Sequence, residues 1–317
     1  MTSAIRQSDP PVSYSARVRR YLELIRFSHT IFALPFAAVS LVLVFHVSAV
    51  DWGGQVGNRH VFGVLLCMVF ARSAAMAFNR LVDHRFDAAN VRTAARHLPA
   101  GLLSRGEVGF FTVGCALGFI ASCGLFWPNW LPLAAAVPVL LFLCGYSLAK
   151  RFTAGAHLWL GVALALAPIC VWIAIGGQSI LERPVELLPA VVLAIAVAFW
   201  VTGFDIIYAC QDEHFDRQAG LFSVPVRLGT RNSLRLSAGL HALMVACLLL
   251  LPYSADGLSL GWLYFFSVVV IAGLLTYEHA IVRPDDLQRV NVAFFNVNAL
   301  ISIILLVAVV IDVWLLT

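Results

Sequence analysis

What this sequence has least of is charge. Of its 317 residues 12% are Asp, Glu, Lys or Arg and 61% are hydrophobic, with a mean hydropathy of +0.89. A soluble protein carries about 25% charged residues, so this chain cannot cover a normal aqueous surface and reads as an integral membrane protein. Nor is a signal peptide expected. Arg26 precedes roughly 20 apolar residues with no small-residue cleavage site, and that run reads as a first spanning helix. The seven cysteines (Cys67, Cys115, Cys123, Cys144, Cys170, Cys210 and Cys247) form no C-x-x-C and fall nearly all in apolar runs, which suits packing better than metal or redox work. The net charge of +4 is small, and it argues for no nucleic-acid partner.

Long apolar runs, by contrast, are plentiful. Nine candidate spans lie at about 28–48, 61–82, 107–126, 131–148, 156–176, 186–209, 234–252, 259–280 and 292–316. Eighteen of the 21 Lys and Arg residues fall in the N-terminus and in connections 2–3, 4–5, 6–7 and 8–9. Arg59 and Arg183 lie on the opposite side, and Arg72 lies within a span. This asymmetry predicts an all-α bundle with the N-terminus cytoplasmic, the C-terminus outside and an odd number of helices. Residues 1–20, polar and carrying Pro10-Pro11, are expected to be a disordered or surface tail, and residues 21–317 one membrane domain. Trp52, Trp127, Trp130, Trp262 and Trp314 are expected to form an interfacial belt away from the positive side.

Two short acidic stretches stand out against this background. Asn79, Asp83 and Asp87 follow a long apolar run at spacing i, i+4, i+8. On a helix each step advances roughly 40°, so all three share a face. Tyr208, Asp212 and Asp216 repeat the spacing at the end of another apolar run, with 129 residues separating Asp83 from Asp212 and Asp87 from Asp216. Carboxylates on one face repel unless a cation lies between them. Mg²⁺ prefers such hard oxygen ligands completed by water and phosphate oxygens. Both stretches fall on the positively charged side. Two acidic helix ends, each able to hold one Mg²⁺, suggest a paired site for a diphosphate.

A diphosphate also needs cations. Arg92 and Arg96 follow the first acidic stretch, Lys150 and Arg151 end the fourth span beside Tyr146, and Arg217 follows the second stretch. Any one of these is accounted for as a positive-inside residue solvated by headgroups; as a set alternating with carboxylates they favour the site. Arg72 lies seven residues before Asn79, on its face and about two turns deeper. It suits either a structural ion pair or a contact with an acidic substrate group. Arg26 and His29 are weaker candidates near the same leaflet. Asn291, Asn296 and Asn298 are expected to bond between helices, Glu278 and His279 to be interfacial, and Asp312 to sit near the outer end of its span.

At these residues the chain resembles the UbiA superfamily of intramembrane aromatic prenyltransferases. The family's N-x-x-x-D-x-x-x-D and second D-x-x-x-D correspond to Asn79/Asp83/Asp87 and Asp212/Asp216. Arg92 to Gly101 is similar to its R-T-x-x-R-x-L-P-x-G, and Tyr146 with Lys150 to Thr153 to its Y-x-x-x-K-R-[FY]-T. Phe27 to Phe36, Gly203 to Tyr208 and Gly220 to Pro225 resemble the 4-hydroxybenzoate polyprenyltransferase-like branch, which includes the MqnP-like proteins of the futalosine route to menaquinone. His97 departs from the ubiquinone-pathway pattern, which has Pro there, and leans toward the MqnP-like side.

The resemblance implies nine helices around a central cavity, with the active site facing the cytoplasm of a bacterial-type cell membrane. It implies two Mg²⁺ held by Asn79, Asp83, Asp87, Asp212 and Asp216, and a polyprenyl diphosphate donor. Arg92, Arg96, Lys150 and Arg151 would stabilise the leaving group, with Tyr146 and Tyr208 orienting it or lining the cation's path. Arg72 would join the catalytic set. The acceptor would be an aromatic acid, either 4-hydroxybenzoate or 1,4-dihydroxy-6-naphthoate, with no obligate protein partner. Two other classes compete. A secondary transporter would place its acids near the midplane on broken helices, whereas here they cluster at helix ends. A CDP-alcohol phosphatidyltransferase would show D-G-x-x-A-R, which is absent.

Overall fold

The computed structural model describes residues 14–25, 30–47 and 57–316. Among them the chain is helical with no strand. Its helices are α1 (Tyr14–Leu24), α2 (Thr30–His46), α3 (Asn58–Ala89), α4 (Arg105–Cys123), α5 (Leu131–Ala149), α6 (Ala156–Gly176), α7 (Leu188–Ala209), α8 (Glu213–Gln218), α9 (Val224–Leu250), α10 (Trp262–Ile281) and α11 (Asn298–Ile311). Eight helical segments among the described residues are long and apolar enough to cross a membrane. At the place of the expected first span stands α2, with 17 residues, and its expected flanks at 28–29 and 48 lie outside the described residues. Arg26, His29 and Trp52 lie outside them too.

Residues 14–20 of the polar tail belong to a docked helix, α1. Leu24 and Ile25 pack with Ala77, Leu103 and Val108, and Arg17 of α1 pairs with Glu107 at 2.9 Å. Local signals set several other ends. Ser104 and Glu107 form a capping box that starts α4. Ser223 caps α9, with Pro225 in its first turn. Gly229, at φ 73°, puts a kink in α9 that a side chain would strain.

The helices close on themselves: α3 packs on α4 and α5, α6 on α5, α2 and α7, α7 on α9, α10 on α9 and α11, and α11 on α2. Glycine permits the tightest seam. A Cβ at Gly161 of α6 would lie 2.3 Å from Thr202 Oγ1 and 2.6 Å from the Ala198 carbonyl of α7. The main core gathers Trp172, Trp200 and Tyr264, all fully buried, with the polar tips of the last two satisfied: Trp200 Nε1 donates to Asn298 Oδ1 (2.7 Å) and Tyr264 OH to the Leu248 carbonyl (2.6 Å).

Several expectations about polar residues are corrected here. Glu278 is fully buried, where Asn298 Nδ2 donates to it at 3.4 Å, and His279 meets His241 of α9 at 3.0 Å. Both therefore point into the bundle, where polar partners await them, instead of lying at the interface. Asp312 stands at the end of its helix, as its place in the last span predicts, and there it is buried and accepts from the Gly261 amide. Of the three asparagines near the last helix, Asn298 bonds across helices while Asn291 and Asn296 are exposed. Large apolar side chains such as Phe110, Leu141 and Val269 face outward, as a lipid-facing surface requires, and Trp127, Trp130, Trp262 and Trp314 are exposed.

Candidate active site

α3 runs unbroken through the first acidic stretch, so Asn79, Asp83 and Asp87 face one cavity, of about 290 Å³. Asn79 Nδ2 donates to Asp83 Oδ2 at 2.8 Å. After Ala89 the chain turns back over this face, and the Thr93 hydroxyl donates to the Asp87 carbonyl at 2.9 Å. That turn aims the two arginines of R-T-x-x-R at different carboxylates. Arg96 reaches Asp87 at 2.6 Å. Arg92 crosses the cavity to the second acidic stretch: its Nε donates to Asp212 Oδ1 at 2.9 Å, a second nitrogen reaches Asp212 Oδ2, and a third donates to the Tyr208 hydroxyl at 2.7 Å.

The second stretch is built differently. α7 ends at Ala209, a tight 3₁₀ turn covers Cys210–Asp212, and α8 resumes at Glu213. Asp212 and Asp216 are both buried and face the same cavity. Lys150, just past α5, donates to Asp216 at 3.1 Å, and Arg151 donates to Asp83 at 3.3 Å and to the Val82 carbonyl at 2.7 Å. Burial opposes the charge of Lys150, but Asp216, Asp205 and Asp212 outweigh it and hold its pKa above the ordinary lysine value. Burial likewise opposes the charge of Arg92, and the Asp212 bonds outweigh it, so its pKa is raised. Each of the four basic groups stands against one carboxylate.

This donor set suits Mg²⁺. It consists of hard oxygens, two carboxylates on each side of a cavity, and Asp87 Oδ2 is buried without a hydrogen-bond partner, 3.9 Å from Arg80. Among the described residues no three His, Cys, Asp or Glu side chains converge on one point. The sets are therefore of the kind that Mg²⁺ completes with water and phosphate oxygens, unlike a closed protein cage.

Deeper in the bundle an apolar cavity of about 170 Å³ lies among α3, α4, α5 and α6, lined by Met68, Phe119, Leu143 and Ala167 and by Cys67, Cys123 and Cys170. All seven cysteines are free thiols, and Cys67 and Cys123 approach to 3.9 Å between sulfurs. Arg72 and Tyr146 line both cavities and so stand at their junction. Arg72 Nε is buried without a hydrogen-bond partner, and no acid among the described residues forms an ion pair with it. The structural ion pair expected as one possibility for Arg72 does not form.

Of the sequence candidates, Asn79, Asp83, Asp87, Arg92, Arg96, Tyr146, Lys150, Arg151, Tyr208, Asp212, Asp216 and Arg72 all line the polar cavity. Arg217 does not. It is exposed and pairs with Glu213 at 2.9 Å, because α8 puts i and i+4 on one outward face. His97 also turns away, toward Glu23 of α1 at 3.3 Å. Three cavity residues escaped sequence reasoning. Asn90 donates to Asp212 at 3.1 Å, Arg80 bonds Asn79 at 3.3 Å, and Asp205 meets the buried His157 at 2.6 Å. An ionisable residue inside an apolar run was the available signal for Asp205.

Residues 32–303 match the UbiA prenyltransferase family. The chain belongs to that family. It is 29% identical to the 4-hydroxybenzoate octaprenyltransferase of Methylobacillus flagellatus over 230 residues, 73% of each chain. It is 27% identical to a polyprenyl transferase of a Nectria species over 300 residues, 94% of this chain and 93% of the other. Among solved structures, the apo form of a UbiA homologue from Aeropyrum pernix K1 superposes with a TM-score of 0.77 at 30% identity, covering 90% of this chain and 98% of that one. A UbiA homologue from Archaeoglobus fulgidus, bound to DMAPP and Mg²⁺, has the same fold at a TM-score of 0.68 and 19% identity, covering 93% and 99%. This UbiA-family chain is thus an integral membrane prenyltransferase.

Proposed function

We propose that this aromatic prenyltransferase carries a polyprenyl group from polyprenyl diphosphate to a ring carbon of an aromatic acid, in a Mg²⁺-dependent step of quinone biosynthesis. The observation that carries this reading is one cavity in which each of the four motif carboxylates faces a cation, and which shares Arg72, Met76, Tyr146, Leu160 and Leu164 with an apolar chamber. Names among the relatives support the aromatic acceptor, and the Mg²⁺-bound homologue supports the metal.

Asn79, Asp83 and Asp87 on one side and Asp212 and Asp216 on the other would hold Mg²⁺, which when bound neutralises diphosphate charge as the C–O bond breaks. Arg92, Arg96, Lys150 and Arg151, which face those carboxylates, would bind phosphate oxygens and stabilise the leaving group. Tyr208, already bonded to Arg92, would orient that guanidinium. The isoprenoid tail occupies the apolar chamber, whose lining keeps water from the allylic cation. Arg72, half-buried and without an acidic partner among the described residues, meets the acceptor's carboxylate at the junction of the two cavities. The acceptor is 4-hydroxybenzoate or 1,4-dihydroxy-6-naphthoate; His97 points toward α1, so this departure from the ubiquinone pattern does not shape the chamber. The membrane domain, residues 21–317, has nine spans with N-terminus and site on the cytoplasmic side of the cell membrane, and works without an obligate protein partner.

The test is product mass from purified protein in nanodiscs with Mg²⁺, a short prenyl diphosphate and each acceptor separately. A prenylated ring that disappears with EDTA and in Asp83→Ala is expected. Absence of both ring product and diphosphate release in protein that binds the donor would overturn the reading.

A further inference from the structure

One carboxylate on the cavity wall belongs to neither acidic stretch. Asp205 stands on α7, seven residues before Asp212, in a run that is otherwise apolar. At 1.5 Å per residue it lies about 10 Å deeper than Asp212, as Arg72 does relative to Asn79. The four motif carboxylates each bond to Arg92, Arg96, Lys150 or Arg151, and Asp205 forms an ion pair with none of them. Its partner is an imidazole: His157 Nδ1 of α6 lies 2.6 Å from Asp205 Oδ2.

The surroundings of His157 fix which ring nitrogen faces Asp205. It is 1% exposed, and its Nε2 is buried without a hydrogen-bond partner. A proton stranded on Nε2 would be costly, so it resides on Nδ1 and is donated to Asp205. The Gly161–Thr202 seam locks α6 to α7 one turn away, and Thr202 Oγ1 is 3.4 Å from the His157 carbonyl. The pair is held at fixed distance. Asp205 Oδ2 is thus engaged, the side chain remains 20% exposed, and Oδ1 is the oxygen free to meet a molecule in the cavity.

Ring prenylation needs such an oxygen. The donor's C–O bond breaks and its electron pair leaves with diphosphate. A π pair of the ring then forms the new C–C bond to the allylic carbon. The substituted ring carbon must next give up its hydrogen as a proton, its C–H pair restoring aromaticity. With the motif carboxylates facing the metal and the diphosphate, a separate carboxylate beside the ring serves this step. We infer that Asp205 Oδ1 accepts this ring proton and later passes it to the departing diphosphate, and that His157 is the positioning residue that keeps Oδ1 turned toward the ring. This rests on the aromatic acceptor proposed above, and it adds a catalytic carboxylate outside the two acidic motifs.

The full chain in nanodiscs, with Mg²⁺ and geranyl diphosphate, tests it. The acceptor is whichever of the two aromatic acids the wild type prenylates, carrying hydrogen or deuterium at the substituted carbon. Asp205→Asn is expected to lower ring product about 10²-fold or more while diphosphate and prenyl alcohol are still released, with a primary isotope effect that the wild type lacks. His157→Asn, which keeps an N–H at the place of Nδ1, is expected to stay within about threefold of wild type, and His157→Leu to fall about tenfold in ring product alone. Asp205→Glu retains a base and should lie between wild type and Asp205→Asn, so it serves if the asparagine variant melts early. Ring product within threefold of wild type in Asp205→Asn would overturn the inference. So would equal loss of ring product and diphosphate release without an isotope effect. A wild type inactive on both acceptors would sink the functional reading and this inference together, whereas an active wild type with an indifferent Asp205 sinks only the latter.

Discussion

The two acidic stretches have the same spacing and different construction. The first lies on an uninterrupted α3; the second is carried across a 3₁₀ turn between α7 and α8. Their partners differ as well. Asp212 receives both arms of a guanidinium fork and Asn90, and Asp216 receives Lys150, with both acids buried. Asp83 is more open and holds Arg151 by a single bond of 3.3 Å. Equal spacing in sequence thus produces three tied carboxylates and one looser one: Asp87 is buried and held by Arg96 at 2.6 Å, and Asp83 alone is open. Asp83 has room for a metal to approach without first dismantling a fork.

The sharpest way to break this contrast is to delete its acids. Asp212→Ala or Asp216→Ala is expected to reduce kcat/KM about 10³-fold, as should Asp83→Ala, since all three remove diphosphate and metal contacts. Only the first two should also lower Tm by several degrees, because they strand Arg92 or Lys150 against a low-dielectric wall. Thermal melting alongside turnover separates the sets, and equal melting of all three would erase the distinction. Next in size is Arg92→Lys, which keeps charge and loses the fork. A drop of about 30-fold in kcat/KM is expected, against about threefold for Arg151→Lys. The reverse order would mean that the fork is incidental. Tyr208→Phe removes one bond to Arg92 and should cost about fivefold, seen in donor turnover. Smallest is Arg217→Ala, expected within about twofold of wild type because its partner Glu213 is on the outer face; a large loss would place Arg217 in the site after all.

Most of the site was legible because two kinds of signal agree. Intramembrane charge is rare enough that each instance asks for a reason, and period-four spacing turns several of them to one face. Pairing was not legible. Nothing in the spacing of Arg92 and Arg96 says that one crosses to Asp212 while the other stays with Asp87; the backbone turn after Ala89 decides it. Nor does local sequence distinguish Glu278 and His279, at a helix end, from interfacial residues. Their burial depends on Asn298 and His241, which arrive from other helices. Asp205 was visible as a charge in an apolar run, yet its partner His157 lies 48 residues earlier.

The seam at Gly161 bears on how this chain could diversify. With Thr202 already inside bonding distance of any added carbon, α6 and α7 cannot be pushed apart, and the wall that carries Asp205 and Tyr208 is inherited as a unit. The opposite wall is less constrained: its close glycines, Gly118 against Phe70 and Gly145 against Trp159, meet side chains and not backbone, and Met68, Phe119 and Leu143 reach into the apolar chamber. Lineages selecting a longer or shorter isoprenoid would therefore vary on α3, α4 and α5, as a lathe changes its tool and keeps its bed.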